Sequence, residues 1–396
     1  MSDPLVFYDG WALSYQPNSP AALHLLTLLN LHPHGIRAQV GLPARADIAL
    51  PGGIEAIDGA PRDGAWSRLA WEQHVLPGLA RRSRAVWLHT FSGAALFGGC
   101  RRLVSPAAEW EYGAGKKGAL AGRLRDALAQ GGAARARLAW PVALPQADKP
   151  VYTGQAAGLP LAVPPDWLAA GNSPPPVLSA PPVLSAPPVL PDLPESYLLY
   201  HGPLSEAALR PALQAWSWAA GAIGEYFPLL LVGFEGAPSG APLQPGSRGE
   251  QIESVLPSQV SANVSALAAE YGVEKSTRLL PPLSPDALRA VYRGSSVIFH
   301  PGEAEPWGDP ALLALACGRP LVGLETRRMA AFSGPAAYLV AGEQAQDAGR
   351  LLGAGLITLV VEDAVAEALA SQARQRAAAW QPAAFTQALA ELYRAN

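Results

Sequence analysis

The sequence predicts an α/β protein with two doubly wound, parallel-sheet domains. Three observations predict it. Short apolar runs alternate with amphipathic helices along the chain, which is the pattern of strands joined by helical crossovers. The 396 residues and 49% hydrophobic content suffice for two cores. A proline-rich segment, Pro175 to Pro191, interrupts the alternation with PPVLSAPPVLSAPPVLP. Proline at that density excludes helices and sheet interiors and favours extended chain. The segment reads as a connector, residues 171–194, with an expanded surface loop as its other reading. It separates a first domain, 1–170, from a second, 195–376.

In the first domain, Leu5 to Tyr8 is a buried strand and Pro20 to Leu31 a helix, capped by Ser19 with proline at its first position. Ile36 to Leu42 is the next strand, and Asp47 to Leu50 is expected to be a third. Trp66 to Ala80 is a helix and Ala85 to His89 a strand. Arg102 to Val104, Ala136 to Val142 and Leu161 to Val163 are short strands, with a helix over Ala119 to Gln130. The loop from Gly113 to Gly118 carries Lys116 and Lys117. It lacks P-loop spacing, and no Ser or Thr follows the lysines. It reads as a mobile loop or as a lid bringing positive charge to a cleft.

The second domain opens with a strand, Tyr197 to Tyr200, and a helix from about Ser205 to Gly221. Strands follow at Leu229 to Val232 and Thr277 to Leu280, with a helix over Val260 to Tyr271. Ser284-Pro285-Asp286 starts a helix to Arg293. Then comes the stretch on which the domain is organised: strand Ser296 to Phe299, loop His300 to Asp309, helix Pro310 to Cys317 and strand Pro320 to Gly323. A loop at the carboxyl end of a parallel strand, leading into a helix, is a place to hold a ligand. Ala337 to Val340 and Thr358 to Val361 are expected strands, and Glu343 to Leu352, Asp363 to Trp380 and Pro382 to Leu392 helices.

Composition excludes several classes. Net charge is −3 and the charged fraction 15%, so no basic field for nucleic acid exists. Two distant cysteines form no disulfide framework, and the seven histidines show no metal-ligand spacing. No run of 18 apolar residues spans a membrane, and no basic-then-apolar leader precedes the first strand. The expected location is the cytoplasm.

Several segments, taken in order, resemble the retaining glycosyltransferases of family 4: LLYHGPLSEAAL, LLLVG, RLLPPLSPDALRAVYRGSS and FHPGEAEPWGDPALLALACGRPLV. The resemblance covers residues 195–393 and is weaker over the first 165. There, RLAWEQHVLPGLARRSRAVWLHT and the VPP at Val163 to Pro165 carry it. It implies the GT-B fold, two Rossmann-like domains facing a cleft, with the last helix, in 377–396, crossing back to the first domain. It implies transfer of a hexose from a nucleotide-diphosphate sugar to a glycan, lipid-linked or protein acceptor, with no cofactor or metal. The chain departs from the family at Leu313, where a ribose-binding glutamate is expected. It departs again at Pro203 and Ala207 or Ala208, where a basic pair is expected, and at Ser105-Pro106, where a His-Asp pair is expected. These departures leave open a catalytically silent homologue, acting as a structural or regulatory partner of another glycosyltransferase or as a glycan-binding module. A homo-oligomer is also open.

Glu305 matches the family's first signature glutamate and is the leading catalytic candidate; Glu303 is its substitute. His89, at a strand end, reads as a polar contact or base, or equally as a hydrogen-bonded core histidine. Trp307 either stacks on a sugar or base or packs under the loop. Gly202 and Gly308 allow close backbone approach. Asp309 stands at the helix start. Arg327 and Arg328, or Lys116 and Lys117 from across the cleft, are candidates to replace the missing basic pair.

Overall fold

The computed structural model describes residues 3–43, 50–59, 66–92, 99–107, 116–133, 136–144, 156–168, 192–234, 258–341 and 345–395. The connector repeat, Gly113 to Gly115 of the lysine loop and most of the strand expected at Asp47 to Leu50 lie outside them. The first domain runs β1 (Leu5–Asp9), α1 (Trp11–Tyr15), α2 (Pro20–Asn30), β2 (Arg37–Leu42), β3 (Ile54–Asp58), α3 (Ser67–Ala70), a π-turn, α4 (Leu76–Arg82), β4 (Trp87–Thr90), β5 (Arg101–Val104), α5 (Lys116–Ala133), β6 (Arg137–Pro141) and β7 (Ala156–Leu159). The second begins β8 (Leu198–Gly202), α6 (Glu206–Ile223), β9 (Leu229–Gly233), α7 (Ser258–Glu270), β10 (Thr277–Leu279), α8 (Pro285–Gly294), β11 (Val297–His300) and α9 (Pro310–Ala316). It continues with β12 (Leu321–Glu325), α10 (Arg327–Ser333), β13 (Tyr338–Ala341), α11 (Ala345–Val361) and α12 (Asp363–Ala378), and α13 (Pro382–Arg394) ends the chain.

Both sheets are wholly parallel, in the orders β3-β2-β1-β4-β5-β6-β7 and β10-β9-β8-β11-β12-β13. Strands β1, β8, β9 and β11 are buried at every residue, as helices on both faces of a sheet require. In each sheet the strand order reverses beside its first strand, between β1 and β4 and between β8 and β11. That reversal opens a crevice at the carboxyl ends of the strands.

Two expectations are corrected. Thr358 to Val361 is the end of α11 and not a strand. Its apolar residues continue a helical face, with Leu352, Leu356 and Leu359 all buried. The strand expected at Leu161 to Val163 lies earlier, at β7, because Pro160 has no N–H to continue the ladder. Between β1 and α2 the chain also forms the short helix α1.

Helix α13 leaves the second domain and lies on the first. Trp87 Nε1 donates to the Tyr393 carbonyl at 2.8 Å, and Thr386 Oγ1 to the Leu31 carbonyl at 3.1 Å. A chain of buried polar groups runs through it. His32 Nε2 lies 2.9 Å from the Ile36 carbonyl, which can only accept, so that nitrogen carries the proton. Tyr8 therefore donates to His32 Nδ1 at 2.9 Å, and Tyr393 donates to Tyr8 at 2.9 Å. His89 Nδ1 donates to the Tyr393 hydroxyl and Ser105 donates to His89 Nε2, both at 2.7 Å. Every group is used once, and the direction of donation holds only with both imidazoles neutral. Burial, with a smaller push from His32, drives His89 down to about 3.

Removing the Tyr393 hydroxyl breaks this chain in its middle. Tyr393→Phe is expected to lower the unfolding free energy by about 1–3 kcal/mol in urea titrations. The unfolded state takes a proton on His89 near its ordinary 6.5 and the folded state only near 3. This contribution is therefore complete above pH 6.5 and is lost as pH falls through that window. Between pH 7 and pH 4, His89→Gln is expected to lose less stability than the wild type.

Candidate functional site

At the strand-order reversal of the second domain is a cavity of about 380 Å³. The turn after β8 forms one side, through Tyr200, His201, Gly202 and Pro203, with Ala207, Ala208 and Pro211 of α6 and Phe234 beyond β9 making an apolar wall. The loop after β11 forms the other side, through His300, Pro301, Gly302, Glu303, Glu305 and Asp309. The structure thus brings Gly202, Glu303, Glu305 and Asp309 together. A side chain at Gly202 would sit 2.7 Å from the Tyr200 hydroxyl, which folds back to donate to the Pro203 carbonyl at 2.8 Å. A Cβ there would displace the Tyr200 ring from this hydrogen bond.

Asp309 has no exposed surface and holds the loop's shape. One carboxylate oxygen accepts from Ala311 N at 2.6 Å, capping α9; the other accepts from Glu305 N at 2.5 Å. Burial raises its carboxyl, while His300, these two N–H groups and Arg328 act the other way. Glu305 is half-buried, and its carboxyl is pushed up to about 7 by burial and by Asp309, with Arg328 opposing and Glu303 adding a little. Near neutral pH it is present both as an acid that donates and as a carboxylate that accepts. Glu303 is exposed at the rim.

The other candidates are placed differently. Trp307 is fully buried and points away from the cavity into the first domain, so it packs under the loop and is no ligand platform. It stacks on His24 of α2, with ring centroids 4.6 Å apart and planes at 16°, and donates to the Ala139 carbonyl of β6 at 3.2 Å. Gly308 does make a close backbone approach, but to the first domain. Its φ is +65°, and a Cβ there would lie 2.0 Å from the Pro20 carbonyl oxygen. Arg328 donates to the Ala304 carbonyl and braces the loop from behind, while Arg327 is exposed and does not line the cavity. Lys116 and Lys117 are the first residues of α5, and their side chains lie outside the described set. His89 is a core histidine and not a base at the site: both its ring nitrogens are engaged within the first domain's hydrogen-bond chain. Leu313 is 1% exposed, in the core beneath the cavity.

Sequence reasoning missed His201, His300 and Asn18. His201 lines the cavity. Its Nε2 donates to the Asn18 carbonyl at 2.8 Å, and its Nδ1 accepts from Tyr292 at 2.7 Å. Burial drives it down to about 3. The Asn18 side chain grips Leu283 at both ends, through its carbonyl at 2.8 Å and its N–H at 2.9 Å, which ties the first domain to the second. The only advance signal was the position of His201 at the carboxyl end of a buried strand. Beyond the first domain's strands, Arg68 bridges Asp9 at 2.9 Å and Glu72 at 3.2 Å, and Glu72 also holds Arg125 at 3.0 Å and Ser92 at 2.7 Å. This buried group balances its own charges. No set of three metal-ligating side chains exists among the described residues, and none of their helices is long and apolar enough to cross a membrane.

Residues 258–374 match the family model described as glycosyl transferases group 1. The match covers the second domain from α7 into α12. Over 129 residues it is 34% identical to a D-inositol 3-phosphate glycosyltransferase of Corynebacterium jeikeium, covering 32% of this chain and 30% of that one. Over 113 residues it is 39% identical to the same-named protein of Acidothermus cellulolyticus, covering 26% and 25%. The chain thus matches less than a third of the length of these relatives. Among solved structures, WaaG, a glycosyltransferase involved in lipopolysaccharide biosynthesis, superposes with a TM-score of 0.67 at 14% identity over 99% of this chain and all of that one. Anabaena HepE in complex with UDP and glucose gives 0.60 at 15% identity over the whole of both chains. These likenesses establish the GT-B fold expected from the sequence.

Leu313 is a buried core residue of the second domain, so a carboxylate introduced there is cut off from solvent among apolar side chains. Leu313→Glu is expected to destabilise the protein by about 3–5 kcal/mol, the cost of an uncompensated buried charge, and to lower the melting temperature in calorimetry. It is not expected to create ribose binding.

Proposed function

We propose that the chain is a retaining glycosyltransferase that moves a hexose from a nucleotide-diphosphate sugar to a hydroxyl of a glycan, lipid-linked or protein acceptor. The observation that carries this reading is the cavity at the strand-order reversal of the group 1 domain, with Glu303 and Glu305 on its loop side and the Gly202 turn opposite. In the reaction, the bond from the anomeric carbon to the diphosphate oxygen breaks and a bond to the acceptor oxygen forms. The acceptor proton is lost, and the nucleoside diphosphate leaves. Glu305 binds sugar hydroxyls, and its proton-sharing state suits both donating and accepting roles. The backbone N–H groups at the start of α6 offer the diphosphate partial positive charge. Transfer of this kind changes no redox state, so the reading implies no cofactor.

A second reading, a silent homologue that binds a glycan or a partner enzyme, is favoured by one observation. Among the described residues lining the cavity there is neither Arg nor Lys. A diphosphate leaving group calls for such charge.

Isothermal titration against UDP-, GDP-, ADP- and TDP-sugars separates the two readings. Binding of one donor is expected, weakened about tenfold or more by Glu305→Ala, as loss of a charge-assisted hydrogen bond implies. If no donor binds to the wild type, the transferase reading fails.

A further inference from the structure

The loop that presents Glu305 is held from the opposite domain. Its two sides face different ways. Gly302, Glu303, Glu305 and Asp309 line the cavity, while Trp307, between the last two, has no exposed surface and sits against the first domain. Three contacts fix it there: the stack on His24, the hydrogen bond to the Ala139 carbonyl, and an edge contact with Phe385 of α13 at 6.3 Å. The next residue, Gly308, sits against the Pro20 carbonyl at a distance no Cβ could tolerate. Only one residue, Pro306, separates Trp307 from Glu305. Within its own domain the loop is held by Asp309, which accepts from Glu305 N, and by Arg328, which donates to the Ala304 carbonyl.

His24 is an unusual partner for this role. It is 1% exposed, burial lowers its pKa well below the ordinary range, and its Nε2 has no hydrogen-bond partner among the described residues. A buried imidazole with a nitrogen unsatisfied carries a cost that an apolar ring would avoid. What the ring supplies is a flat face, nearly parallel to the indole.

We propose that His24 of the first domain is a positioning residue for Glu305: through its stack on Trp307 it sets the loop that completes the ligand cavity, so the cavity is complete only when the two domains are docked. The nature of the ligand rests on the transferase reading above; the positioning itself does not. The charged and titratable groups facing Glu305 are Asp309 and Glu303 of its own loop and Arg328 of α10. His300 acts on Asp309. From the first domain the neutral His24 stands one stacked ring away, on the far side of Trp307.

The test reads Glu305 directly. Carbon-13 spectra of the side-chain carboxyls, with Glu305→Gln identifying the resonance, give its titration without any ligand. In the wild type the inflection is expected near 7. His24→Ala removes the flat face from the other domain and leaves every residue of the loop itself unchanged. It is expected to release the loop to solvent and move the inflection down by about one unit or more, toward the ordinary carboxylate range. His24→Phe keeps the face and is expected to hold the inflection in place without loss of thermal stability. His24→Leu fills the volume without the face and serves if the alanine variant does not fold; it too is expected to move the inflection down. An unmoved inflection in a folded His24→Ala or His24→Leu protein overturns the proposal, as does a His24→Phe protein that behaves like the alanine variant. Nucleotide-sugar titrations on the same proteins keep the two questions apart. If the wild type binds no donor but the inflections move as stated, the transferase reading falls and the positioning role stands.

Discussion

A tryptophan of one domain, buried in the other, governs this structure. Trp307 has no accessible surface, and the groups that hold it, His24, the Ala139 carbonyl and Phe385, belong to the first domain and to α13. Burying an indole contributes apolar stabilisation of roughly the size of any side chain in either core. The same buried cluster holds Leu25 and Leu29 of α2, Leu312 of α9 and Phe385 of α13, so the two sheets share one continuous apolar region. Asn18 adds polar register to it. Its side chain reads the Leu283 backbone as a donor–acceptor pair, and its carbonyl fixes the His201 tautomer. Moving one domain against the other would break these paired bonds in a low-dielectric interior, where each unmet group is costly.

The histidines follow one rule. His24, His89 and His201 are all buried, and in each the first cause of a lowered pKa is loss of solvent. Buried imidazoles without a carboxylate partner stay neutral, and a neutral imidazole is a donor on one side and an acceptor on the other. His89 and His201 use both sides, so they act as directional links in the scaffold. The proton chemistry open to the cavity falls instead to Glu305, whose carboxyl is raised by burial and by Asp309 beside it.

Much of the scaffold could be read from the sequence, because it is written in local pattern. The caps at Ser19, Ser205 and Ser284 each accept the expected backbone N–H, and the apolar runs at Leu198, Leu229 and Val297 are central strands. The errors arose where local pattern is ambiguous. ITLVV has strand composition, but helix α11 already had its buried stripe and carried those residues into it. The loop from His300 to Asp309 lies where the sequence puts it, and Glu305, its leading candidate, lines the cavity. The directions of Trp307 and Gly308 were not legible. They depend on Pro20 and His24, far away in the chain, and no spacing within the loop encodes that contact. Asn18 was missed for the same reason.

The cavity sets a physical condition on the chemistry assigned to it. Its described lining is apolar on the α6 side and acidic on the loop side, and Arg328 of α10, behind the loop, donates to the Ala304 carbonyl and opposes the two raised carboxyls. A fully ionised Glu305 would set a full negative charge against the phosphates of the donor proposed for this cavity. With its pKa at about 7, Glu305 is in part neutral there, which lessens that repulsion. The same burial that raises the pKa is produced by the loop folding over Trp307. Domain docking and the charge state of the cavity are thus two consequences of one contact, and a ligand that binds beside Glu305 meets a charge that the far domain has helped to set.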